Sequence, residues 1–154
     1  MDIYVVLLLI FIIAPISTFV HELGHVFGAK WAKADSIILS LGSGKKIAAL
    51  SYKQIQFSIH TLFFLGGLAY NKRDKPYKPM EIIWISLCGP IGNGIAATVV
   101  FCLVGFSYGP VRAFVLFNIW LGLINMIPFR LNGKQSDGYT IVQTICRQAQ
   151  HSNE

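Results

Sequence analysis

Twenty residues that carry a single charge, Asp2, run directly into the pentapeptide His21-Glu22-Leu23-Gly24-His25. From Tyr4 to Ala14 the run is apolar on every face, so lipid or protein must surround it on all sides. A cleaved leader is the rival reading, but Asp2 stands where a basic start is expected and no A-x-A-like site follows. Ionisable groups at the end of such a run are costly and are usually functional. On an α-helix, residues four apart share a face, so His21 and His25 can grip one metal ion together. Glu22 lies about 100° round the helix from His21, close enough to act on a water beside that metal. Zinc suits two histidines and a carboxylate, and it leaves a position open for the water it acidifies. This is metalloprotease chemistry. A pair of polar histidines at the wet end of a helix is the bland alternative, and it accounts poorly for two histidines and a glutamate at one depth.

The rest of the chain fits a membrane address. Its 154 residues make one domain, 1–154, and are 54% apolar and 13% charged, against about 25% charged in soluble proteins. The net charge of +6 does not point to nucleic acid, because the basic residues fall between and after apolar segments, as in cytoplasmic loops. Cys88 and Cys102 would stand about 21 Å apart on one helix, too far for a disulfide. With Cys146 they read as small packing residues.

Three spans are expected, at about 3–32, 80–106 and 111–127. Pro15 is placed to kink the first. Gly24, Gly28 and Ala32, four apart, offer a smooth strip for a neighbouring helix. Residues 33–79 form a basic cytoplasmic loop with short strands at 47–50 and 54–59, where apolar and polar residues alternate. The stretch 61–70 is apolar but too short to span, and reads as a re-entrant or interfacial hairpin. His60 there is a reserve metal ligand, more simply a structural histidine. The second span carries Gly89-Pro90-Ile91-Gly92-Asn93, where Asn93 suits either a substrate backbone or an interhelical hydrogen bond. The third has Asn118 and Asn125 as its polar residues. Asp137, before Gly138, has the form of a turn aspartate. It is also the only acidic residue between Glu81 and Glu154, hence the nearby carboxylate available to complete a site. A weakly amphipathic helix opens a tail over 139–154. Nine Lys/Arg lie from Lys30 to Lys78, against Arg112 alone in the next connection. The expected orientation is therefore N-terminus outside and C-terminus cytoplasmic, with His21, His25 and Asp137 towards the same side.

In order along the chain, His21-Glu22-Leu23-Gly24-His25, Gly89-Pro90-Ile91-Gly92-Asn93, Asn125-Met126-Ile127-Pro128 and Asp137-Gly138 resemble the site-2 protease family of intramembrane zinc metalloproteases. The resemblance covers nearly the whole chain and is to the family's three-helix catalytic core. Phe64-Leu65-Gly66-Gly67 is similar to the membrane-associated strand between the first two core helices. The resemblance implies one zinc per chain held by His21, His25 and Asp137, with Glu22 as general base. It also implies supporting or substrate-contacting roles for Asn93 and Asn125. Gly133-Lys134-Gln135-Ser136 lengthens the interval before Asp-Gly relative to the compact family form. No length is left for a PDZ or nucleotide-sensing domain, so regulation would come from a membrane partner or the substrate.

The fold expected is a mainly α membrane protein with three transmembrane helices and a short β-hairpin or re-entrant segment between the first and second. The function expected is zinc-dependent cleavage of a membrane-embedded or membrane-proximal peptide bond in a membrane-anchored substrate, in a bacterial cytoplasmic membrane. The alternative is an inactive scaffold of the same fold that binds a partner protein. A metal carrier would want ligands strung along a path, whereas these cluster at one end.

Overall fold

The computed structural model describes residues 3–131 and 133–151. Asp2, Asn132 and the last three residues of the expected tail lie outside them. Among the described residues, three helices are long and apolar enough to cross a membrane: α1 (Ile3–Trp31), α2 (Pro79–Val104) and α3 (Gly109–Met126). A shorter helix, α4 (Asp137–His151), follows. The ends of α1, α2 and α3 lie within a few residues of the ranges expected for helical spans.

Pro15 does not break α1. Residues Leu9–Ile13 form a π-helical turn just before it, in which the Ala14 N–H bonds to the Leu9 carbonyl. A proline clashes with the carbonyl four residues back and cannot donate to it; widening the preceding turn relieves that crowding. The glycine strip of α1 faces α2 as expected. A Cβ on Gly24 would strike the Cys88 carbonyl, and one on Gly28 would press on Ile85 and Cys88.

The segment between α1 and α2 departs most from expectation. Two long strands, β1 (Ser36–Tyr52) and β2 (Ile55–Lys72), replace the short strands and the separate hairpin at 61–70. Both strands bend. Residues 37–41 run antiparallel to 67–71 on one side and alongside 55–59 in the parallel sense on the other, while 48–52 fold back antiparallel on 55–59. The result is four strand segments in the spatial order 48–52, 55–59, 37–41, 67–71, with open edges at 48–52 and 67–71. Ile37, Leu39 and Leu41 alternate inward and form a core with Val26, Ala29 and Ala34. The sheet runs back alongside α1 rather than away from it, since Phe57 packs on Phe19 and Phe64 on Phe11.

Arg73 joins the ends of the two helices. Its guanidinium donates to the Ala32 carbonyl after α1 and, with both terminal nitrogens, to the Glu81 carboxylate in the first turn of α2. Tyr77 lies beneath it, 4.3 Å from ring centre to guanidinium carbon. After α3, a small hairpin of β3 (Arg130–Leu131) and β4 (Lys134–Gln135) takes up the lengthened interval before α4.

Candidate metal centre

Helix α1 puts His21 and His25 on one face, and α4 brings Asp137 against them from 116 residues further along the chain. Nε2 of His21 lies 3.0 Å from Asp137 Oδ2, and Nε2 of His25 lies 3.2 Å from Asp137 Oδ1. Ligand atoms of the three residues all fall within 4.8 Å of one another. His60, the reserve ligand, is on β2 opposite Lys46 and is not in this group.

The other ring nitrogens are committed. Nδ1 of His25 donates to the Ile85 carbonyl at 2.8 Å, and Nδ1 of His21 meets Asn93 Oδ1 at 2.5 Å. Both acceptors are oxygens, so both Nδ1 atoms carry protons, and a neutral ring then presents a lone pair at Nε2. Two lone pairs facing a carboxylate call for a cation between them. The donor set and its outer hydrogen bonds thus fit zinc, whose histidine ligands almost always donate their second N–H to such partners. Gly89 keeps the space clear, because a Cβ there would fall on both imidazoles.

Asn93 is fully buried and bonds between helices. Its Nδ2 donates to the Ser17 carbonyl and to Asn118 Oδ1, and Asn118 Nδ2 donates to Ser17 Oγ and the Phe114 carbonyl. Ser17 and Asn118 are also fully buried. A closed polar relay therefore links three helices to His21. Ser17 had no assigned role in the sequence reading, although it precedes His21 by one helical turn. Asn118 was visible there only as a polar residue inside an apolar span.

Glu22 is nearly buried and lies against Gly67, where an added Cβ would meet its side chain. A cleft of about 910 Å³ opens over His21, Glu22, His25 and Asp137. The open edge at Leu68, Ala69 and Tyr70 forms one wall, and Gly133, Lys134 and Gln135 another. Asn125 also lines the cleft, with its Nδ2 held by the Leu121 carbonyl. Gly138 packs so tightly on the Met126 and Ile127 backbone that a side chain has no room, which accounts for glycine after Asp137.

The sequence model of Peptidase family M50 matches residues 7–113, a stretch that holds both histidines, Glu22 and Asn93 but ends before Asp137. A protein of Clostridium acetobutylicum provisionally named a zinc metalloprotease is 33% identical over 99 residues. That match takes in 58% of this chain and 29% of the relative, so the chain spans less than a third of the relative's length.

Proposed function

The chain belongs to peptidase family M50, and from that premise we propose that it is a zinc-dependent endopeptidase acting within or beside a transmembrane segment of its substrate. The observation that carries this reading is the convergence of His21, His25 and Asp137 on one point, beside Glu22, in a cleft walled by the sheet edge at Leu68, Ala69 and Tyr70. Zinc, when bound, supplies Lewis acidity towards the scissile carbonyl and a water. His21, His25 and Asp137 hold it. Glu22 takes the proton from the water and returns it to the leaving amine. A helical substrate hides its carbonyls, so it must unwind, and the edge at 67–71 offers main-chain groups to the extended strand. Asn125 lines the path beside it.

In this reading the protein is integral to the membrane, N-terminus outside, in a bacterial cytoplasmic membrane. Its partners are a membrane-anchored substrate and a regulatory membrane protein. No observation favours an inactive scaffold, since the base and all three ligand residues are in place.

The test begins with the metal content of detergent-purified wild type beside His21→Ala and Asp137→Ala. About one zinc per chain, lost or weakened in both variants, is expected. Glu22→Gln keeps the zinc and loses about 10²–10⁴-fold in cleavage of a model membrane peptide. Cleavage by Glu22→Gln at the wild-type rate removes Glu22 from its role, and a folded wild type without zinc removes the protease reading.

A further inference from the structure

The lengthened interval before Asp137 poses a problem that one residue solves. Ser136 is only 4% exposed, and its hydroxyl makes three bonds to backbone. It donates to the Ile127 carbonyl at 2.7 Å and accepts from the N–H groups of Phe129 at 3.0 Å and Tyr139 at 3.1 Å. One donor and two lone pairs are thereby used in full. The main chain of Ser136 adds to the knot: its N–H donates to the Phe129 carbonyl, and its carbonyl accepts from the Thr140 N–H and hydroxyl.

Three structures meet at this hydroxyl. Ile127 is the C-terminal cap of α3, Phe129 begins the return into the β3–β4 hairpin, and Tyr139 is the third residue of α4. Ser136 is thus the N-cap of α4, whose first residue is Asp137. The hairpin loops out between Phe129 and Ser136, and the serine closes it at its base. Whatever the length of the excursion, Asp137 leaves from a point fixed to the end of α3.

We propose that Ser136 is the positioning residue for the third metal ligand. Its hydroxyl fixes the start of α4 against the end of α3, so that the Asp137 carboxylate meets His21 and His25. The proposal rests on the metal-site reading above and concerns how this chain builds that site. Ser136 acts through the backbone it holds, since its hydroxyl is fully engaged there.

The experiment is zinc affinity, measured by competition with a chromogenic chelator, alongside the visible spectrum of the Co²⁺-loaded protein. Ser136→Ala is expected to weaken zinc about 10–100-fold and to alter the Co²⁺ bands, which report the ligand geometry. Ser136→Thr keeps the hydroxyl and restores both readouts to near wild type. If Ser136→Ala does not fold, Ser136→Gly takes its place, because glycine is a tolerated N-cap that lacks the hydroxyl; the same loss is expected. Wild-type affinity and spectrum in the hydroxyl-less variant that folds, beside a wild type that binds zinc, overturn the proposal and leave the protease reading standing. A folded wild type that takes up no zinc overturns both.

Discussion

His21 is only as well aimed as the residues behind it. Asn93, Asn118 and Ser17 form a relay in which each polar group is matched, and burial makes any gap costly. Asn93→Ala is expected to weaken zinc about 10–100-fold, by freeing the His21 ring. Asn118→Leu strands Ser17 Oγ and one Asn93 proton, which costs about 1–3 kcal/mol of stability with a smaller effect on zinc. Thermal unfolding in detergent together with chelator competition separates the two. The pentapeptide was legible in the sequence because ionisable groups in an apolar setting stand out. Asp137, in a polar segment, stood out only as the one acidic residue between Glu81 and Glu154. Their outer partners were not legible, for a physical reason. His21 and Asn93 are 72 residues apart and Ser17 and Asn118 are 101 apart, so only packing decides which polar residue meets which.

Among the elements, the spans were readable from apolar length, and the α1–α2 contact from the four-residue spacing of Gly24 and Gly28. Gly24→Leu drives a side chain into the Cys88 carbonyl and is expected to abolish stable folding; a monodisperse protein with bound zinc contradicts the close contact. The sheet was only half readable. In Ser36-Ile37-Ile38-Leu39-Ser40-Leu41 the inward residues are apolar, but so is Ile38 on the other face, and the period-two signal is lost. The clamp at Arg73 was invisible as well, because a guanidinium in a basic loop looks like any other cation. Arg73→Lys keeps the charge but not the two-pronged contact with Glu81, and lowers the thermal midpoint more than Lys53→Ala, a change on the sheet's outer turn.

At the scale of the whole molecule, the proposed topology puts the turn between α2 and α3 on the opposite side of the membrane from α4. With Cys88 and Cys102 replaced by serine, native Cys146 on α4 should react with a membrane-impermeant maleimide only from the cytoplasmic side. A cysteine introduced at Ser107, with Cys146 also replaced, should react only from the outer side. Labelling of both from one side refutes the orientation. The candidate site takes two histidines from α1 and a carboxylate from α4, 116 residues after His21. A ribosome adding about 5–20 residues per second releases the histidines several seconds before the aspartate. Under the proposed function, the centre stays incomplete until α4 is made, so a nascent copy is expected not to cut the membrane proteins inserted beside it.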